Sequence, residues 1–144
     1  MLKRIDINGI EMSDTPLRFG TREQSIADVE VVLTNHLSEV AGVVTDDGGR
    51  PSSDATVVAF SADPTLWYAE SRFLRYTNVS ADGTFSLGAL PPGQYGLAGI
   101  DNRDTSDVSG DLDNPDFLVS LASRAAHITV TDNQRTTVGL RLPR

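Results

Sequence analysis

Short apolar runs that recur between turn-forming residues are the feature of this sequence that most restricts its fold. The runs are rich in valine, isoleucine and aromatic residues, and glycine, proline, aspartate and asparagine separate them. Closely spaced runs of this kind are typical of an all-β sandwich or barrel. We predict strands over residues 2–7, 26–34, 39–45, 55–62, 71–79, 83–89, 94–101, 126–131 and 136–142.

The apolar pattern inside the runs indicates how each strand is buried. Val29, Val31 and Leu33 are apolar at alternate positions, which predicts a strand with one buried face. Residues 55–60 are almost continuously apolar, which predicts a central strand covered on both faces. Asn8-Gly9 is a candidate hairpin turn, because both residues tolerate the positive φ that such turns require.

One stretch departs from the β pattern. Asn114, Pro115 and Asp116 form a helix start, with a capping side chain, a proline at the first helical position and an acid in the first turn. Apolar residues follow at helical spacing from Leu118. We therefore predict one short helix, over residues 115–124, lying across the sandwich.

Length and composition exclude several classes of protein. The 144 residues suit one domain. The chain contains no cysteine, so disulfides and thiolate metal sites are excluded. Twenty acidic residues against twelve basic ones leave a net charge of −8, which should repel nucleic acid and anionic lipid. No apolar stretch has the length of about 20 residues that a membrane helix needs, and the first residues lack the apolar core of a signal peptide.

Two segments of the chain are alike, and the likeness leaves the domain organisation open. Residues 23–33 and 133–142 are each a polar turn followed by an alternating strand. Residues 1–34 are therefore either the tail of a preceding module in a tandem array or strands of the same sandwich. We weight the two alternatives equally, and we assign residues 35–144 to the main sandwich.

Four motifs occur in a fixed order within this sandwich. Residues 39–51 are a strand that leads into a glycine-rich turn and a proline, and residues 55–59 are the next strand. Residues 82–87 carry an Asp-Gly turn and a strand, and residues 90–97 carry Leu-Pro-Pro-Gly followed by Tyr95. This order resembles the carboxypeptidase regulatory-like domains, which have a prealbumin-like (transthyretin-like) Greek-key sandwich of about seven strands.

The resemblance is close over residues 38–101, and residues 126–142 fit the closing strands. It implies a non-catalytic structural or interaction module of a larger bacterial protein that is secreted, periplasmic or at the cell surface. It also implies that neighbouring domains of that longer chain are its partners, and it carries over no catalytic residue and no cofactor. The predicted helix and the extra N-terminal strands depart from the family pattern.

Enzymes on a prealbumin-like frame are a remote alternative. Transthyretin-like hydroxyisourate hydrolases end in Tyr-Arg-Gly-Ser, whereas this chain ends in Arg-Leu-Pro-Arg. Intradiol dioxygenases bind iron through two tyrosines and two histidines that are close in sequence, whereas His36 and His127 are far apart. We therefore expect no enzyme.

Tyr95 follows a Pro-Pro-Gly turn and is expected to tie a sandwich corner to nearby backbone.

Residues 101–116 are unusually acidic, with six aspartates against Arg103 alone, which leaves −5. Carboxylates of this kind could bind calcium, although the EF-hand glycine and glutamate are missing. A solvated acidic loop is the favoured interpretation. The candidate calcium ligands are Asp107, Asp111, Asp113 and Asp116.

A cluster of aromatic and arginine side chains is the candidate ligand-binding surface. Aromatic rings present flat apolar faces with polar edges, on which sugars or peptides stack. The competing and favoured interpretation is that Trp67 plugs one end of the sandwich while Phe73 lies inside a strand. If the chain binds a polysaccharide or peptide, the candidate residues are Trp67, Tyr68, Arg72, Arg75 and Tyr76.

Overall fold

The computed structural model describes residues 1–20, 22–105 and 107–143, and it divides the chain into two compact units. The first unit is Met1–His36 and the second is Leu37–Arg144. None of the helices among the described residues is long and apolar enough to cross a membrane.

The first unit contains a small antiparallel sheet in the order β2-β1-β3. Its strands are β1 (Leu2–Ile7), β2 (Ile10–Glu11) and β3 (Val29–Leu33). Asn8 and Gly9 join β1 to β2 with φ values of 52° and 76°, so the predicted hairpin turn is confirmed. The short strand β2 was not predicted. The predicted strand 26–34 begins later, at Val29, because Asp28 is left-handed with a φ of 53°.

The second unit is a β-sandwich, which confirms the predicted all-β class. One sheet has the order β10-β4-β7 and the other the order β6-β5-β8-β9. The strands are β4 (Glu39–Thr45), β5 (Ala55–Ser61), β6 (Leu74–Asn78), β7 (Thr84–Gly88), β8 (Gly93–Asp101), β9 (Ala126–Val130) and β10 (Arg135–Arg141). Each strand lies within its predicted segment or extends at most one residue beyond it. Strand β6 begins three residues later than predicted.

The main core lies between these two sheets. Apolar side chains from both sheets pack into one buried cluster, which is what defines a sandwich. The three-stranded sheet contributes Val40, Val44, Phe85, Leu87 and Leu140, and the four-stranded sheet contributes Val57, Ala59, Tyr95, Leu97 and Val130.

A second cluster covers the outer face of the four-stranded sheet. All seven residues of β5 are buried, as predicted for a central strand. The outer side chains of β5 and β8 pack against residues from the segment that joins β8 to β9. The members from the sheet are Val58, Phe60, Ala98 and Ile100, and those from the connecting segment are Leu112, Leu118 and Leu121.

The connecting segment holds two helices rather than the one that was predicted. Helix α2 runs over Pro115–Ala122, and the side chain of Asn114 caps it by accepting a hydrogen bond of 3.0 Å from the Asp116 amide. It ends two residues before the predicted end, because the last turn tightens into a hydrogen bond from the Arg124 amide to the Leu121 carbonyl. A short helix α1 (Val108–Asp111) precedes it in the same segment. A 3-10 turn, Pro64–Leu66, lies elsewhere in the chain, between β5 and β6.

Strand β10 closes the sandwich by lying parallel to β4 at very close range. The register pairs Val138 with Gly42. A Cβ atom at Gly42 would overlap the carbonyl oxygen of Val138, so no larger residue fits this position without moving one of the strands.

We predict that Gly42→Ala lowers the free energy of unfolding by about 1–3 kcal/mol, because the methyl group must push β10 away from β4. Urea unfolding followed by far-ultraviolet circular dichroism measures the change. Gly139→Ala is the matched control on the neighbouring strand, since nothing lies within 4 Å of its added Cβ. Equal effects of the two substitutions would contradict the close approach of β10.

Tyr95 has the structural role that its position predicted. Its hydroxyl is buried and donates a hydrogen bond of 2.7 Å to the carbonyl oxygen of Pro91. Its ring stacks on Phe73, with 6.5 Å between the ring centroids. The tyrosine therefore holds the Pro-Pro-Gly turn against the core.

We predict that Tyr95→Phe lowers the free energy of unfolding by about 1–2 kcal/mol, because the Pro91 carbonyl loses its buried donor. The change is measured by thermal unfolding at neutral pH. Tyr76→Phe, at an exposed tyrosine, should change stability by less than about 0.5 kcal/mol. A Tyr95→Phe protein as stable as the parent would contradict the structural role.

Candidate functional site

The aromatic cluster predicted from the sequence is divided between the core and the surface. Trp67 is half-buried, and its indole nitrogen donates a hydrogen bond of 2.8 Å to the Ser61 carbonyl oxygen. Its ring meets Phe60 edge-on, with centroids 5.7 Å apart and an interplanar angle of 82°. Trp67 is therefore held as a packing residue rather than presented as an open platform.

Phe73 and Arg72 are also anchored to the sandwich. Phe73 precedes β6 and is packed against the main core. The guanidinium of Arg72 lies 5.1 Å from the centroid of the Phe73 ring, a cation–π distance. Tyr68, Arg75 and Tyr76 are exposed, so these three are the members of the predicted surface that face solvent.

Tyr76 lies between two surface cavities on the outer side of the edge strand β6. Its register partner in β5 is Val58, so its side chain is on the sheet face that carries the helices. The cavities have volumes of about 450 Å³ and about 410 Å³, and both are lined by Tyr76 and Ser109. Together we call them the β6 groove. Its other lining residues are Glu70, Ser71, Arg72, Leu74, Arg75, Leu112 and Asp113 in the first cavity, and Thr56, Asn78, Asn102, Thr105, Asp107 and Val108 in the second.

A polar network forms one end of the β6 groove. The buried hydroxyl of Thr56 lies 3.0 Å from the amide oxygen of Asn78 and 2.7 Å from that of Asn102. Sequence analysis missed these three residues. They are separated by 22 and 46 positions in the chain and form no motif, so no sequence signal could have joined them.

The predicted calcium ligands have local roles in the structure. Asp107 caps α1 by accepting a hydrogen bond of 3.0 Å from the Gly110 amide, and Asp111 accepts one from the Thr105 hydroxyl. Asp113 and Asp116 are exposed. Within residues 1–20, 22–105 and 107–143, no three acidic or histidine side chains form a group that could hold a metal ion.

Hydrogen bonds within turns explain the lowered pKa values of three aspartates. Hydrogen bonds from the Arg103 side chain and backbone lower the pKa of Asp101 to about 2. Hydrogen bonds from threonine hydroxyl and amide groups lower the pKa of Asp63 and of Asp82. Each shift has a local structural cause, since the hydrogen bonds favour the charged carboxylate.

We predict that Asp101→Asn lowers the free energy of unfolding at pH 7 by about 0.5–1 kcal/mol, because the Asp101 side chain is mostly covered but its partner Arg103 is exposed, so water screens the ion pair. Because folding lowers the pKa of Asp101, its contribution is present above about pH 4. It is lost as the pH falls toward the folded pKa of about 2. Urea titrations should therefore give different free energies of unfolding for the parent and the Asp101→Asn protein at pH 7, and equal ones at pH 2.

Asp132→Asn, at an exposed turn residue, is the control for this pH experiment. It should leave the free energy of unfolding unchanged at both pH values. A difference between Asp101→Asn and the parent that persists at pH 2 would contradict the assigned role of the Arg103 pair.

The residues that a dioxygenase-like site would need are not assembled in the second unit. The hydroxyl of Tyr95 is engaged by Pro91, and His127 is exposed on β9. His36 belongs to the first unit and is exposed there.

No family model matches the sequence, and no curated protein matches it either. Among solved structures, the chain is similar to the Bacillus anthracis TIE protein, with 13% identity and a TM-score of 0.45 over 81% of this chain and 18% of that one. It is also similar to a streptococcal ancillary pilin, with 13% identity and a TM-score of 0.46 over 76% of this chain and 33% of the pilin.

A third similar structure is the dioxygenase domain of a dioxygenase and carbohydrate-binding protein fusion from Streptomyces sp. SirexAA-E. The identity is 12% and the TM-score 0.43, over 77% of this chain and 84% of that one. The chain thus spans about a fifth of the TIE protein and a third of the pilin. At these identities and TM-scores the similarities assign no function.

Proposed function

We propose that this chain is a non-catalytic structural and interaction module of a longer exported bacterial protein, of the carboxypeptidase regulatory-like type. The observation that carries the proposal is the amphipathic sheet of the first unit, which exposes most of one apolar face. We propose that a preceding sandwich module of the same polypeptide covers this face.

The pairing of the strands places the apolar residues of the first unit on one side of its sheet. Residues that are directly opposite each other on paired strands share a face. The paired apolar residues are Ile5 with Val31, Ile7 with Val29, Ile7 with Ile10, and Leu2 with Leu33. The opposite face carries charges, and Arg4 forms ion pairs there with Asp6 at 2.7 Å and with Glu30 at 3.7 Å.

Much of the apolar face is accessible to water. Val31 is 54% exposed and Leu33 is 71% exposed, and Val29 and Ile10 are also exposed. A sheet with one apolar face is stable when a second layer buries that face. Among residues 1–20 and 22–36, the three strands form a single sheet, which supplies one layer only.

The likeness between β3 and β10 suggests what the second layer is. In β10 and the residue after its end, Val138, Leu140 and Leu142 alternate as Val29, Val31 and Leu33 do. Leu140 and Leu142 are buried against the facing sheet of the sandwich. The equivalent position for β3 is the closing strand of another sandwich, which supports residues 1–34 as the tail of a preceding tandem module.

The burial of polar groups supports a non-catalytic role. The buried polar residues of the described chain are Ser38, Thr56, Ser61 and Ser71, and no aspartate, glutamate, histidine, lysine or arginine is buried with them. No buried side-chain nitrogen or oxygen in the described part of the chain lacks a hydrogen-bond partner. A tuned acid, base or nucleophile is usually desolvated or strongly coupled, and these residues present no such group.

The family resemblance supports export as part of a longer chain, and the net charge bears on the kind of partner. The resembling motifs build the core of the second unit: Gly83 has a φ of 82° in the turn before β7, and Leu90 is buried at the turn before β8. A charge of −8 favours partners other than nucleic acid or anionic membranes. Neighbouring domains are therefore the proposed partners.

The proposal predicts that polar substitutions on the apolar face of the first unit leave this chain stable but lower the free energy of unfolding of the longer protein. In the chain alone, Val31→Thr with Leu33→Thr should change the free energy of unfolding by less than about 0.5 kcal/mol, because both side chains face water. In a version extended upstream through the coding sequence, the same pair should cost about 2 kcal/mol or more, because both side chains become buried. Urea unfolding measures both.

Val40→Thr is the control, since Val40 is fully buried in the second unit and should be costly in both versions. Equal effects of the Val31 and Leu33 pair in the two versions would contradict the proposal. Light scattering provides a second test of the proposal. A dimer that the parent chain forms and the Val31 and Leu33 double variant does not form would also contradict it, because the apolar face would then bind a second copy.

Binding of carbohydrate is a second candidate function, and the β6 groove favours it. The groove combines exposed Tyr76 with amide, hydroxyl and carboxylate groups, which are the groups that orient a polar ligand. Trp67 lies outside its lining and takes no part.

A further inference from the structure

We propose that the β6 groove binds an uncharged polysaccharide, with the ring of Tyr76 as a stacking platform and the side-chain amides of Asn78 and Asn102 as hydrogen-bonding groups. This inference rests on the second candidate function above. It is independent of the proposed role of the first unit.

Tyr76 has the position that a stacking platform requires. It lies at the middle of β6, which is an edge strand, and it is 48% exposed. The ring pairs found among the described residues are Phe60 with Trp67 and Phe73 with Tyr95, so no other aromatic ring there covers Tyr76. An aromatic ring with a free apolar face and a polar edge suits the alternating C–H and O–H groups of a sugar.

The amides of the two asparagines are held at the groove by the buried hydroxyl of Thr56, which lies 3.0 Å from the Asn78 amide and 2.7 Å from the Asn102 amide. A hydroxyl has one proton, so Thr56 donates to one amide oxygen at a time. The amide that accepts this proton directs its NH₂ group away from Thr56, so the pair offers a ligand both amide donors and acceptors. Asn78 lies two residues after Tyr76 on the same face of β6. The two amides are therefore positioned before a ligand arrives, which lowers the entropic cost of binding.

The charges that line the groove nearly cancel. Glu70, Asp107 and Asp113 contribute three carboxylates, and Arg72 and Arg75 contribute two guanidinium groups. Asp107 also caps α1, and Arg72 lies on the ring of Phe73. A strongly anionic or cationic polymer gains little net attraction here, whereas a neutral ligand with many hydroxyl groups finds donors and acceptors along the whole groove.

The shape of the groove favours a chain-like ligand. Two cavities of about 450 Å³ and about 410 Å³ share Tyr76 and Ser109, so the space continues on both sides of the aromatic ring. Such a site suits an elongated molecule that crosses Tyr76.

An extended peptide added to the edge of β6 fits less well. The Phe73 carbonyl and the Val79 amide bond toward β5, so the alternate residues Leu74, Tyr76 and Asn78 direct their main-chain groups outward. The Leu74 amide already donates to the Ser71 carbonyl at 3.2 Å. Only two residues of this short strand remain for adding a strand, which is little for a mode of binding that depends on main-chain hydrogen bonds.

The test is affinity electrophoresis of the full chain in gels that contain laminarin, glucomannan, dextran or hydroxyethylcellulose, followed by calorimetry with any polymer that retards it. We expect saturable binding to at least one of them, with an affinity that changes less than twofold up to 0.5 M NaCl, where the screening length is about 4 Å. Tyr76→Ala should weaken binding at least tenfold, and Asn78→Ala at least threefold. Tyr68→Ala, at an exposed tyrosine outside the groove lining, should change it less than twofold.

Unfolding midpoints of the variants verify that each is folded, as expected for exposed positions. The inference is overturned if none of the four polymers binds, if Tyr76→Ala binds like the parent, or if the chain binds only polygalacturonate and salt removes that binding. Selection of an extended peptide that occupies the groove in place of all four glycans overturns it as well. Every one of these outcomes leaves the measurement on Val31 and Leu33 unaffected, so failure here is distinct from failure of the module proposal.

Discussion

The burial of the four-stranded sheet on both of its faces is the constraint on which the rest of the second unit depends. Strand β5 has no exposed residue, so its inner side chains need the three-stranded sheet and its outer side chains need another layer. Leu112, Leu118 and Leu121 supply that layer. The segment between β8 and β9 is therefore a structural requirement of an apolar strand. Its residues 107–109, 112 and 113 also line one side of the β6 groove.

The two units use the same amphipathic alternation with different results. In the second unit the apolar residues of β10 meet a facing sheet and are buried. In the first unit the equivalent residues of β3 are exposed, while the charged face of the sheet is paired by Arg4. Because apolar burial is the main source of sandwich stability, this contrast is the basis of the proposal that a preceding module covers the first unit.

Among its described residues, the second unit buries few polar side chains and no charged one. Its buried polar side chains are serines and a threonine with partners, and its lowered aspartate pKa values come from turn hydrogen bonds. A binding surface needs exposed groups held in place, and Thr56 does this for Asn78 and Asn102. The polar side chains that line the groove are thus held in place by a buried residue beneath them.

The sequence by itself determined the approximate positions of every described strand except β2, the central place of residues 55–60, the Asn8-Gly9 turn, the corner tyrosine Tyr95 and the start of α2. These depend on side-chain alternation and on the conformations of a few adjacent residues, which are local properties. Only the tertiary structure decided that β10 lies parallel to β4, that Trp67 is packed while Tyr76 is exposed, and that Thr56 meets two asparagines. The reason is that such contacts join residues tens of positions apart, so they are set by strand register and by the packing of layers, which no local pattern contains.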